Sequence, residues 1–232
     1  MSIQINYLQY ESPDWSLDRA LDSSLTLDGV GFEPERYYDT FDPSKTIYHS
    51  CPAWQHKVKR EFVIRAPKHI ELRMNREEQF ITSNIEGDLF HQIIQPPPNW
   101  EVDQTFQIHI PIFLMWTRSK NVWVEQKQCN GNNFKVVEGW WNLSDWSRPI
   151  GFAINFIDES KPIIIRRGDP IYRVAFSQEH NHNQTYNMVK STPTSKQLRD
   201  AQKRVDTKNL FPRITHNLIF NTTKCPFRLW QK

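Results

Sequence analysis

The sequence predicts an all-β protein, an antiparallel β-sandwich of jelly-roll or cupin-like type with one C-terminal helix. Two observations support this. Apolar and polar residues alternate in short runs through the middle of the chain, and turn residues separate these runs. No long helical pattern intervenes before residue 194, which argues against a parallel α/β sheet. The 232 residues, 38% of them hydrophobic and 13% aromatic, suit one domain with a substantial core.

The β pattern appears in roughly ten runs. In one of them Ile70, Leu72 and Met74 share a face, because side chains alternate along a strand. The predicted strands are Ile3–Tyr10, Glu61–Arg65, Ile70–Asn75, Phe106–Ile112, Val122–Val124, Phe134–Val137, Phe152–Phe156, Pro162–Arg166, Ile171–Phe176 and Asn217–Phe220. The turn sequence at 167–170 predicts that the two runs around it form a hairpin.

Two helices are predicted outside the strands. Ser12 as cap and Pro13 at the first helical position predict a short one near the N-terminus. The C-terminal helix is capped by Thr194 or Ser195 and carries a narrow apolar stripe that includes Leu198.

The organisation predicted for residues 1–232 is one domain with two charged ends. Residues 1–44 hold nine acidic and two basic residues, a net charge of −7, and an acidic arm is predicted over 1–45. Residues 190–232 hold ten basic and two acidic residues, a net charge of +8, and form the basic helix and tail, predicted to pack on the body. The two ends can attract each other, a protein partner or a second copy of the chain, and the basic end suits nucleic acid as an alternative.

Other features of the sequence indicate the cellular compartment of the protein. No apolar run approaches the ~20 residues of a membrane helix, and the first residues lack the pattern of a signal peptide. Three widely spaced cysteines, Cys51, Cys129 and Cys225, argue against a disulfide framework. We therefore expect a reduced protein in a cytoplasm or a virion, without contact to a membrane.

The segment from Gly139 to Pro149 is the first candidate for a recognition surface. It holds three tryptophans in seven residues, and loops at the ends of sandwiches often carry function. Trp140, Trp141, Trp146 and Arg148 are the predicted partner-binding residues, since tryptophan combines a large apolar area with one N–H donor. The structural alternative is that the rings fill the end of the core.

His180 and His182 are the candidate metal ligands. An H-x-H pair on a strand points both rings to one face, as in cupin-like metal sites. Here the pair lies in a polar stretch with no obvious third ligand, so a surface loop is favoured and no cofactor is expected. The chain also lacks a nucleophile elbow, a glycine-rich phosphate loop and a Rossmann fingerprint, so no catalytic residue is assigned.

Three elements between residues 113 and 177 resemble an uncharacterised family from bacteria and large-genome phages. They are Phe113–Arg118 followed by Val122–Val124, Trp146–Ile150 leading into Phe152–Phe156, and Lys161–Ile165 leading into Gly168–Ile171. The loop that follows the tryptophan strand in that family is replaced here by Glu125–Cys129. The resemblance implies a β fold and a phage origin, and it supplies no catalytic residues.

The function that these observations favour is a non-catalytic, phage-encoded binding module, associated with the virion or with a host protein in the host cytoplasm. A cupin-like metal-dependent oxygenase using His180 and His182 is one alternative. A single-stranded nucleic-acid binder using the three tryptophans and the basic tail is the other.

Overall fold

A computed structural model describes most of the chain. The described residues are 2–9, 32–42, 44–45, 47–75, 77–85, 90, 94–95, 105–109, 112–129, 133–145, 148–149, 151–178 and 184–200. The chain divides into two compact units, Met1–Thr192 and Pro193–Lys232.

Among the described residues of the first unit, strands are the main secondary structure, as predicted. In chain order they are β1 (Ser2–Gln9), β2 (Glu35–Arg36), β3 (Glu61–Arg65), β4 (Ile70–Asn75), β5 (Phe80–Ser83), β6 (Ile94–Gln95), β7 (Thr105–Ile108), β8 (Ile112–Trp116), β9 (Val122–Gln128), β10 (Phe134–Val136), β11 (Gly139–Asn142), β12 (Arg148–Pro149), β13 (Phe152–Phe156), β14 (Ile163–Ile165), β15 (Pro170–Gln178) and β16 (Thr185–Lys190). Two 3-10 helices, Tyr37–Thr40 and Ile47–Ser50, and helix α1 (Pro52–Val58) lie between β2 and β3.

These strands form four sheets. A five-stranded sheet has the order β11-β9-β15-β3-β2, and two four-stranded sheets have the orders β12-β8-β1-β16 and β10-β13-β7-β6. A three-stranded sheet has the order β14-β4-β5. All strand pairs among the described residues are antiparallel except β1 with β16. The predicted antiparallel sandwich is confirmed, and its jelly-roll connectivity stays a prediction.

The core lies against one face of the five-stranded sheet. Alternate residues of β15 and β9 are buried there because side chains of a strand alternate between its faces. Tyr172 contacts Phe152 of β13 with ring centroids 5.0 Å apart, and Phe176 stacks on Tyr186 of β16 at 5.7 Å. Residues from both four-stranded sheets therefore pack on the inner face of the five-stranded one, and its opposite face is the outer face.

Two predictions about neighbouring strands are wrong. The turn at 167–170 exists, with Asp169 donating its N–H to the Arg166 carbonyl at 3.0 Å and Gly168 at φ 88°. The strands around it do not form a hairpin, because β14 pairs with β4 while β15 pairs with β3 and β9. Likewise the single run predicted over Phe106–Ile112 is divided between β7 and β8, which belong to different sheets.

In the second unit the described residues, 193–200, include the start of the predicted helix. Residues 195–200 are helical and follow Thr194. Thr194 Oγ1 accepts the N–H of Gln197 at 3.3 Å, and the Gln197 side chain accepts the N–H of Thr194 at 2.7 Å. This reciprocal capping box confirms Thr194 as the cap. The helix after Ser12, the strand Asn217–Phe220 and the end of the C-terminal helix lie outside the described residues.

Tyr186 yields a prediction about the core. Its side chain is fully buried, burial raises the pKa of its phenol, and its hydroxyl has no hydrogen-bond partner among the described residues. Tyr186→Phe keeps the stacked ring and removes a desolvated polar group, so we expect the free energy of unfolding to stay within about 1 kcal/mol of wild type or to rise. Urea denaturation measures this, with Tyr186→Ala as the control that removes the ring. A loss above about 2 kcal/mol in Tyr186→Phe would show that the hydroxyl is hydrogen-bonded.

Candidate binding surface

The tryptophan-rich segment begins where the chain passes from one sheet to another. Val137 donates its N–H to the carbonyl of Ala153 at 2.8 Å, which ends the pairing of β10 with β13. Two residues later β11 starts to pair with β9 in the five-stranded sheet. Gly139–Asn142 therefore form an edge strand, and the prediction that a loop begins at Gly139 is wrong for these four residues.

The two adjacent tryptophans of β11 point to opposite faces of the sheet. Trp141 lies on the inner face with only 8% of its surface exposed, whereas Trp140 lies on the outer face and is 56% exposed. The alternative interpretation, that the tryptophan rings of this segment fill the end of the core, therefore holds for Trp141. Trp140 remains a candidate for binding.

The other predicted site residues lie in a different sheet or outside the described residues. The backbone of Arg148 belongs to β12 and pairs with Met115 of β8, so it lies in a different sheet from Trp140. Trp146, His180 and His182 lie outside the described residues, and their predicted roles stay predictions. The described residues contain no group of three or more His, Cys, Asp or Glu side chains arranged to hold a metal ion.

Trp123 is a surface residue that the sequence analysis did not single out. It precedes Glu125 by two positions on β9, and Glu125 lies directly opposite Trp140, so all three side chains share the outer face. The rings of Trp123 and Trp140 are neighbours across the strands, with centroids 4.7 Å apart and planes inclined by 53°. The Val-Trp-Val-Glu alternation at 122–125 indicates that Trp123 and Glu125 share one face of a strand. The sequence does not show the register that brings Trp123 next to Trp140.

The turn after β11 holds this edge of the sheet in place. Ser144 Oγ accepts the N–H of Val122 at 2.8 Å and donates to the carbonyl of Ser119 at 2.7 Å. The side chain of Asn142 accepts the N–H of Ser144 at 2.9 Å and donates to Asp145 at 3.1 Å. These bonds connect the end of β11 to the start of β9, so hydrogen bonds hold the backbone on which the Trp123–Trp140 pair sits.

A charged group lies beside the tryptophans on the same outer face. Glu61 of β3 is 1% exposed; its carboxylate contacts Arg173 at 2.5 Å and Lys127 at 3.3 Å. Arg173 also donates to the carbonyl of Gln128 at 3.1 and 3.0 Å and lies over the ring of Tyr37 at 4.3 Å. The 3-10 helix that carries Tyr37 thus covers this part of the face.

The exposed members of the charged group are carboxylates. Lys127 contacts Glu125 at 2.9 Å, but the Glu125 side chain is 50% exposed while those of Lys127 and Arg173 are 18% and 19% exposed. Glu138, two residues before Trp140, is exposed and accepts the N–H of Gln128 through one oxygen at 3.1 Å. We call Trp123, Trp140, Glu125 and Glu138 the tryptophan surface; its outward charge is negative.

The stretch Glu125–Gln128 belongs to strand β9. The following residue, Cys129, is a buried free thiol. Burial raises the pKa of this thiol to about 11 against the opposing effect of Arg173, so Cys129 stays protonated near neutral pH and is a poor nucleophile.

Among the described residues, no helix is long and apolar enough to cross a membrane. Comparison of the chain with protein-family models, with curated proteins and with solved structures found no match.

Proposed function

We propose that this chain is a non-catalytic binding module that recognises a protein partner through the tryptophan surface. On this proposal the chain is phage-encoded, as the resemblance of residues 113–177 to a family of bacteria and large-genome phages implies, and it associates with the virion or with a host protein.

The observation that carries the proposal is the exposed ring of Trp140, which contacts the half-buried Trp123 on the outer face of a regular sheet. Trp140 is 56% exposed although its neighbour on the strand, Trp141, is buried. Large aromatic rings are enriched among the residues that dominate protein interfaces, because their burial removes much apolar area from water at little cost in side-chain entropy. Hydrogen bonds that hold the backbone beneath the rings lower the entropy lost on binding further.

The same face argues against the nucleic-acid alternative at this position. Single-stranded nucleic acid binds where aromatic rings lie in a positively charged groove. Here Trp141 is buried and cannot stack on a base, and the side chains exposed around Trp140 are the carboxylates of Glu125 and Glu138. A polyanion is repelled by this arrangement.

Trp140→Ala tests the proposal directly. We expect this variant to lose its partner while its melting temperature stays within a few degrees of wild type, because truncating a hot-spot tryptophan costs about 2 kcal/mol or more of binding free energy. The measurement is quantitative mass spectrometry of purified virions and of partners captured from infected host cells by the wild-type and variant proteins.

Ile157→Ala provides the matched control for that experiment. Ile157 is 67% exposed and lies after β13, outside the five-stranded sheet, so its truncation removes exposed apolar area at another place. Equal partner recovery with Trp140→Ala and Ile157→Ala would contradict the proposal, as would turnover of a substrate by the pure wild-type protein.

A further inference from the structure

We infer that the partner presents a basic segment, and that an arginine or lysine side chain of that segment lies over Trp140 between Glu125 and Glu138. This inference rests on the proposed function and gives the chemistry of the partner at the same surface.

The first argument is the distribution of charge across the outer face. Glu61, Glu125 and Glu138 bring three negative charges and Lys127 and Arg173 bring two positive ones, a net charge of −1 over these five residues, to which the neighbouring Arg65–Glu35 ion pair adds none. Both cations are mostly covered, and Lys127 is already shared between Glu61 and Glu125. The excess negative charge therefore faces outward, where a cationic partner complements it.

The second argument is that Trp140 has one carboxylate as its neighbour across the strands and another close to it along the chain. Glu125 lies directly opposite Trp140 across the strands, and Glu138 precedes Trp140 by two residues. The face of a tryptophan ring attracts a cation, and the guanidinium of arginine also stacks on the ring while its N–H groups reach carboxylate oxygens. One arginine side chain can thus contact the ring and a neighbouring carboxylate together.

The chain shows the same chemistry elsewhere in its own structure. Arg173 lies over the Tyr37 ring at 4.3 Å while it contacts Glu61, and Arg167 lies over the Phe32 ring at 4.9 Å. In the Arg173 case one guanidinium is held by an aromatic face and a carboxylate together. The tryptophan surface offers an exposed ring opposite an exposed carboxylate, and Lys127, the cation that contacts Glu125, is mostly covered.

The experiment uses the full chain and a labelled eight-residue peptide of alternating glycine and arginine. Fluorescence anisotropy should show saturable binding that weakens as salt is added, since attraction between exposed charges is screened. A peptide with glutamate in place of arginine should not bind. Trp140→Ala should weaken binding of the arginine peptide about tenfold, as should the double variant Glu125→Gln with Glu138→Gln, and Ile157→Ala should leave it unchanged.

Several results would overturn the inference. These are failure of the arginine peptide to bind, binding that is equally strong in Trp140→Ala, and binding of the glutamate peptide with similar affinity. Self-association of the wild-type chain that disappears in Trp140→Ala would also overturn it, because the occupant would then be a second copy.

The two proposals fail in distinguishable ways. If Trp140→Ala loses the captured partner but the arginine peptide does not bind, the surface is an interface and only the basic chemistry is wrong. If neither the partner nor the peptide depends on Trp140, both proposals are wrong. A circular dichroism melt of each variant shows that lost binding is not lost folding.

Discussion

Replacing Glu61 with glutamine is expected to lower the free energy of unfolding by about 3 kcal/mol. Glu61 is 1% exposed and is the shared partner of Arg173 and Lys127. Removing one member of a buried ion pair costs about 3–5 kcal/mol because the remaining charge stays in a poorly solvated place. The two cations here retain 18–19% exposure, so water compensates part of the loss and the lower end of that range applies.

Glu125→Gln is the matched control, because it removes the other carboxylate that contacts Lys127. Glu125 is 50% exposed, and exposed ion pairs contribute about 0–1 kcal/mol. Chemical denaturation of both variants measures the difference. If the two substitutions destabilise the protein equally, the burial of Glu61 does not matter and the interpretation of the charged group is wrong.

The role of Glu61 could not be predicted from the sequence. It begins a short β-rich run, Glu61–Arg65, where a glutamate most often faces water. Its two cations lie 66 and 112 residues further along the chain and reach it only through the register of β3, β15 and β9. Register depends on long-range packing that a single sequence does not display.

The strands themselves were predictable because period-2 alternation is a local signal. Phe152, Ile154 and Phe156 are buried as their spacing predicts. In β4, Ile70 and Leu72 are buried as well, whereas Met74, near the end of that strand, is half-buried. The turn at 167–170 was also predictable from its residues. What failed there was the choice of partner strands, since a turn fixes a local chain reversal and leaves open which strands pair.

The tryptophan segment shows both the strength and the limit of local reasoning. Its composition marked it as a place of interest, and Trp140 is indeed exposed. Treating the segment as a loop concealed that two adjacent residues on a strand face opposite ways, so that Trp140 and Trp141 have different environments. Trp123, 17 positions before Trp140, joined the surface only once the pairing of β9 with β11 was known.

Trp141→Ala is expected to be among the most damaging single substitutions in this chain. Its ring is 92% buried on the inner face of β11, opposite Val124, which is fully buried. Truncating a buried tryptophan to alanine costs about 3–5 kcal/mol, because the transfer free energy of the ring is lost and a cavity remains. For a chain of this length that corresponds to a fall in melting temperature on the order of 10 °C.

Trp140→Ala is the control from the same strand, with the same change of side chain. This substitution removes the ring contact with Trp123, whose centroid lies 4.7 Å away, and only a small buried area. We therefore expect the free energy of unfolding to fall by only about 1 kcal/mol. Thermal melting of the two variants side by side measures the contrast. Equal melting temperatures would contradict the assignment of Trp141 to the core and Trp140 to the surface. A lower melting temperature for Trp140→Ala than for Trp141→Ala would place Trp140 in the core and Trp141 on the surface. The expected order, with Trp140→Ala stable, is what allows loss of binding in that variant to be attributed to the surface itself.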